Sequence, residues 1–217
     1  MSNPIVANAF TTAVAKFFEA GGPFMVPLTV CAVAALVVTV RRSLALRKEK
    51  VLPRFVRTAI EKLTPGTDVG HIHQLVQENP AALARIARTG LRHLDLARAE
   101  NTGLVQTTAR REILRLERGL AGLELIVGIS PLLGLLGAIS GLVGVFSNLG
   151  SGATGADTTG VALGIAEALN TTIFGLAIAI PSLVAYTYLA RRVEAMAVEM
   201  ESLAASLLSK CYARRDG

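Results

Sequence analysis

Three long apolar runs, at residues 24–40, 121–149 and 161–190, alternate along the chain with charged stretches of helical periodicity. The second and third exceed the roughly 20 residues a helix needs to cross a bilayer core, and the first reaches the lower limit before stopping at Arg41-Arg42. Membrane-spanning helices are therefore predicted over residues 23–42, 119–149 and 160–190, with Pro23 well placed at a helix start. A Gly/Ser/Thr-rich turn at 150–159 joins the last two. The first run is rich in Val, Ala and Leu and carries no charge, which predicts lipid-facing packing rather than chemistry. Ahead of it, residues 1–22 place Phe10, Val14, Phe17 and Phe18 near one face, a weakly amphipathic segment expected to lie on the outer membrane surface.

Residues 43–118 read as mostly helical. A basic-amphipathic stretch at 44–62 is followed by a turn at 64–68 and a short helix at 71–78. Pro80 then opens a helix whose apolar face is Leu83, Ile86, Ala87 and Leu91. Residues 101–118 carry Ile113, Leu114, Leu116 and Leu120 among charges and show no obvious break before the second span. One helix over about 101–149 is expected, on the order of 70 Å long. Past the third span, Val193, Met196, Met200, Leu203 and Leu207 recur at spacings of three and four, so residues 191–217 continue as an amphipathic helix. The expectation is an all-α integral membrane protein with three transmembrane helices and long cytoplasmic helical extensions that bundle together.

Charge sets the orientation. Of 22 Lys and Arg, one precedes the first apolar run, sixteen lie between Arg41 and Arg118, five follow Ala190, and none falls in 119–190. Basic residues crowding alternate connections are what the positive-inside rule produces. It predicts an outer N-terminus, a cytoplasmic 43–118, an outer 150–159 turn and a cytoplasmic C-terminus. The net charge of +6 then reflects topology and contact with anionic lipid. Nucleic-acid binding is disfavoured, because 43–118 has no aromatic stacking platform and its arginines alternate with acids. A mean hydropathy of +0.51 also exceeds that of an ordinary soluble domain. The first residues lack a basic segment leading into an apolar core, which predicts no cleaved signal peptide. Cys31 and Cys211 stand far apart without motif partners, which leaves disulfide and redox roles unsupported.

Candidate chemistry lies in the second and third spans. Gly134, Gly137, Gly141 and Gly144 step by three and four along one helical stripe, the pattern by which membrane helices approach closely. Pro131 frees the Val127 carbonyl and Pro181 the Ala177 carbonyl. The third span carries a single charge, Glu167, with Thr171 and Gly175 on its face and Thr172 on the neighbouring one. A carboxylate at bilayer depth costs a few kcal/mol, so such residues face a bundle interior or water and mark ion routes. Fixing helix register through a hydrogen bond is the competing reading, and spacing alone leaves both open.

These residues resemble a known family. SPLLGLLGAISGLVGVF is similar to the second-span signature of the MotA/TolQ/ExbB proton-channel proteins, and GIAEALNTTIFGLAIAIPSLVAY to the third, with RREILRLERGLAGLE and NPAALARIARTGLRHL similar to the ExbB-like branch. The resemblance implies a pentameric ring around two copies of a single-span ExbD/TolR-like partner that supplies a proton-accepting aspartate. Proton flow would rotate that dimer within the ring, in the bacterial inner membrane. By position, Glu167 matches the motif's acid and Thr172 its pore-facing threonine. Thr171 stands where alanine is usual, and Ala138 where the second-span motif has threonine, which leaves Ser140 or Thr171 to replace the lost hydroxyl. Losing an oxygen ligand favours protons over Na⁺ as the coupling ion.

The alternative is a passive oligomeric ion channel or small-solute transporter, disfavoured because three spans without an inverted repeat do not make a familiar transporter. An enzyme is not expected. His71, His73 and His93 all fall in the basic region, so no span offers a Ser/His pair or zinc motif, and neither metal nor cofactor is implied.

Overall fold

The computed structural model describes residues 21–64, 70–150 and 158–213. The amphipathic segment expected before residue 21, the turn at 65–68 and most of the 150–159 connection lie outside them. Among the described residues every regular element is an α-helix: α1 Met25–Ala45, α2 Lys48–Val51, α3 Arg54–Lys62, α4 Gly70–Gln77, α5 Ala82–Arg92, α6 Arg98–Arg118, α7 Ala121–Gly150 and α8 Thr158–Ala213. Three helical stretches are long and apolar enough to cross a membrane, Met25–Ala45, Arg98–Ser147 and Thr159–Ala213. The protein is thus an all-helical, multi-pass membrane protein.

The expected unbroken helix over 101–149 is interrupted at Gly119 and Leu120. Leu120 N–H turns back to the Glu117 carbonyl (2.7 Å), and the Arg42 guanidinium packs on Gly119 at the point where a side chain would stand. The basic stretch at 44–62 is shared between the end of α1, α2 and α3. Pro53 has no amide hydrogen to continue α2, and takes an extended ψ of 132° before α3 starts. By contrast α8 runs 56 residues without a break, about 84 Å at 1.5 Å per residue, far more than the roughly 30 Å of hydrocarbon.

The chain divides into two units at Thr39/Val40, Ala121/Gly122 and Tyr186/Thr187. The first holds the apolar parts of α1, α7 and α8. Its large side chains point mostly outward, with Leu132, Val143 and Phe146 of α7 and Leu163, Ile180 and Val184 of α8 all more than 60% exposed. Such a surface is stable only against lipid or other apolar helices. α1 packs loosely, burying Met25, Leu28 and Ala35 and leaving an apolar groove of about 380 Å³ lined by Ala32, Leu36, Phe174 and Ala185.

The second unit has a conventional core. The α8 stripe Val193, Met196, Met200, Leu203 and Leu207 is buried, as are Val56 and Ile60 of α3, Ile72 and Val76 of α4, and Leu83, Ile86 and Leu91 of α5. α6 departs from its sequence pattern. It buries Asn101, Val105, Ala109 and Glu112, while Leu114 is exposed. The polar ends of this face find partners, with Asn101 Oδ1 the buried atom left without one among the described residues. Glu112 pairs with Arg85 and, at 2.8 Å, with Arg115. Asn101 Nδ2 donates to the Gly90 carbonyl (2.9 Å) and to Tyr212 Oη (3.1 Å), and Tyr212 donates to the Leu96 carbonyl (2.9 Å).

Glu199 of α8 takes salt bridges from Lys48 (2.7 Å) and Arg57 (3.0 Å). Burial works against its charge, but the hydrogen bonds and positive charges of Lys48 and Arg57 outweigh it and hold the carboxyl below its usual range. The stabilisation from a lowered carboxyl pKa is fully present above the unfolded value and is lost as pH falls through the folded one. The second unit should therefore lose stability below pH 4.5, and Glu199→Gln should flatten that dependence. Thermal unfolding followed by far-UV circular dichroism across pH 3–7 measures it, and an identical acid slope in Glu199→Gln counts against the assignment.

Candidate ion pathway

Two helices with bulky side chains cannot bring their backbones together; α7 and α8 do so because glycines meet at their crossing. A Cβ added at Gly134 would stand 2.9 Å from the Thr171 carbonyl oxygen and 3.4 Å from the Gly175 Cα. At Gly175 it would stand 2.7 Å from the Ser130 carbonyl oxygen, at Gly137 2.9 Å from Thr171 Cβ, and at Gly141 3.0 Å from the Gly164 carbonyl oxygen. Carbonyls facing glycine Cα hydrogens are the geometry of weak Cα–H···O contacts. Among the described residues no atom lies within 4 Å of a Cβ added at Gly144, which stands outside this seam.

The seam decides what Thr171 does. It is fully buried against Gly137, and its hydroxyl donates within its own helix, where the Glu167 and Ala168 carbonyls both lie at 3.1 Å. Thr172 is half-buried and bonds the Ala168 carbonyl (3.0 Å), while Ser140 is exposed on α7 and Ala138 half-buried. Ser130 Oγ is buried without a hydrogen-bond partner, one turn of α7 ahead of Gly134. Next to Pro181, Ser182 is buried and donates to the Ile178 carbonyl (2.7 Å). Pro131 lies half-buried inside α7, with Ser130 before it.

Glu167 is half-buried, and among the described residues no Lys, Arg or His forms an ion pair with it. Five residues on, Thr172 lies about 140° around α8 and about 7.5 Å along it. Within one chain, therefore, Glu167 and Thr172 face different sectors, separated by the sector that Thr171 commits to the seam. Sequence reasoning missed a neighbour of the acid: Gly22, in the turn ahead of α1, sits directly against the Glu167 carboxyl group. The Gly-Gly-Pro signal was visible, but a glycine's contacts leave no trace in a sequence. Among the described residues no group of three or more His, Cys, Asp or Glu is arranged to hold a metal ion.

Comparison with known proteins places this arrangement. An ExbB-like biopolymer transport protein of Synechocystis is 34% identical over 183 residues, covering 79% of this chain and 68% of that one. An ExbB homologue of Methanothermobacter thermautotrophicus is 28% identical over 194 residues, covering 87% and 67%. The Tol-Pal system protein TolQ of Haemophilus influenzae is 38% identical over 123 residues, covering 57% and 49%. The sequence model of the MotA/TolQ/ExbB proton channel family matches residues 47–202, from the end of α1 through most of α8. With the seam, Glu167 and most of its length inside that match, the chain belongs to the MotA/TolQ/ExbB proton channel family, on its ExbB/TolQ branch.

Proposed function

We propose that this protein is a ring-forming subunit of a proton-driven motor in the bacterial inner membrane, energising envelope transport or force transmission through an ExbD/TolR-like single-span partner. The observation that carries the reading is Glu167, an acid within an apolar helix with no cationic partner among the described residues. An ion-route carboxylate must exchange its proton, and a fixed helix cannot carry that proton onward by itself. A second, moving carboxylate on another chain supplies the missing step.

The separation of Glu167 from Thr172 around α8 supports a ring. One copy does not line a path with both groups, whereas neighbouring copies can set the Thr172 sector of one beside the Glu167 sector of the next. The burial of Thr171 against Gly137 and its hydrogen bonds within α8 support a packing role for it; Glu167 and Thr172 are then the path residues, with Ser140 of α7 a candidate for the hydroxyl absent at Ala138. The outward-facing Leu, Ile and Val of α7 and α8 supply the apolar surface that neighbouring copies and lipid cover. By the charge distribution, residues 43–118 and 191–217 lie in the cytoplasm and the 150–159 turn outside.

The test is purification from the native membrane in mild detergent, followed by native mass spectrometry. A ring of identical copies holding a substoichiometric chain with one N-terminal span and an aspartate in it is the expected result. A ring that is complete without any partner and conducts protons alone would instead mark a passive channel.

A further inference from the structure

The residues just ahead of α1 carry no functional group, yet they form part of the surroundings of Glu167. Gly22 has φ +65°, the left-handed region that side-chain-bearing residues rarely adopt. A Cβ on Gly22 would overlap Glu167 Oε1 and stand 2.7 Å from its carboxyl carbon. Backbone conformation thus favours glycine, and the carboxyl group occupies the place a Cβ would take. The turn is also held in place. Met25 N–H donates to the Gly22 carbonyl (3.2 Å) and Val26 N–H to the Pro23 carbonyl (3.3 Å), while Pro23 restricts its own φ. Gly21 is buried beneath the Met25 side chain.

We propose that the Gly21–Pro23 turn is a seat for the Glu167 carboxyl group, with Gly22 as the positioning residue. The inference rests on the reading of Glu167 as the coupling acid and adds what holds it. A glutamate side chain has three rotatable torsions, and proton transfer needs donor and acceptor within about 2.6–3.2 Å. A backbone surface without a Cβ, fixed by the start of α1, confines the carboxyl on one side and leaves the other for exchange. The helix with no polar group at the path thereby contributes to it through its backbone.

The overlapping atoms belong to the free end of a flexible side chain, so Gly22→Ala displaces the carboxyl group rather than parting the helices. Infrared spectroscopy of the full chain in lipid nanodiscs reads this directly. The stretching band of the Glu167 carboxyl or carboxylate, assigned by its loss in Glu167→Gln, should shift in frequency in Gly22→Ala. It should not shift in Gly21→Ala, whose Cβ meets only the Met25 side chain. An unmoved band in a folded Gly22→Ala protein overturns the proposal. Should Gly22→Ala fail to fold, Gly22→Asn, which tolerates the left-handed φ and carries the same Cβ, replaces it, and an unmoved band there also overturns the proposal. The two readings separate cleanly. Proton flux surviving in Glu167→Gln removes the coupling role and leaves the band shift standing, whereas flux lost in Glu167→Gln with an unmoved band in Gly22→Ala removes the seat alone.

Discussion

Glu167→Gln is expected to abolish gradient-driven transport, a loss on the order of a hundredfold or more, while the protein still inserts, assembles and extracts as the wild type does. Glutamine keeps the shape and half-buried position of the side chain but neither releases nor accepts a proton. Structure should survive because Glu167 forms no ion pair with the described residues, so no cation is orphaned by its removal. Function should not survive, because one charge moving across 100 mV yields about 2.3 kcal/mol and a pH unit about 1.4 kcal/mol more. That work is gathered only if the proton stops at a group coupled to motion. Several such steps match the few kcal/mol that separate packed conformational states. Proton uptake into inverted membrane vesicles, with the native partner co-expressed, measures the effect, and wild-type flux in Glu167→Gln ends the motor account. In the same assay Thr172→Ala should be impaired and Thr171→Ala should not, since the Thr171 hydroxyl is bonded to its own helix inside the seam.

Gly134→Val should prevent correct folding of the membrane-embedded unit, and even Gly134→Ala should cost about 1–3 kcal/mol, the usual range for a methyl group forced into a packed contact. The atom in the way is the Thr171 carbonyl oxygen, 2.9 Å from the added Cβ, and a backbone carbonyl cannot rotate aside. Gly175 faces the Ser130 carbonyl at 2.7 Å and should behave alike. In lipid no hydrophobic effect drives two apolar helices together, so separating them by a methyl group removes the dispersion and Cα–H···O contacts that hold them. Gly144→Ala, with no atom within 4 Å, is the control and should be near neutral. Yield of monodisperse protein and its melting temperature in detergent distinguish the three. Equal stability of Gly134→Ala and Gly144→Ala would show that the α7–α8 seam is not what holds this unit.

Much of the architecture was legible because membranes impose simple rules. Hydrocarbon requires every backbone polar group to be paired within its own segment, so apolar runs of this length become helices. The face Leu83, Ile86, Ala87 and Leu91, and the stripe from Val193 to Leu207, were equally readable, since each is a plain 3.6-residue period. α6 was not. Its Ile113, Leu114, Leu116 and Leu120 lie among charges and single out no face, and the buried one is Asn101, Val105, Ala109 and Glu112, where Arg85, Arg115, Gly90 and Tyr212 are the partners. The interruption at Gly119 escaped for a similar reason. One glycine among charged helix formers is a weak signal until Arg42 is seen packed against it.

For the candidate pathway the division is sharper. The order of residues alone determined that Glu167, the paired Thr171 and Thr172 and a line of glycines lie within two apolar helices, because composition and helical period require no partner to be read. Only the tertiary structure decided that Gly134, Gly137 and Gly141 meet α8, that Thr171 is buried against Gly137, and that Glu167 rests against Gly22. Helical period places residues around one axis; which sector each axis turns to its neighbours is set by close packing between segments distant in the chain, and no local pattern encodes it.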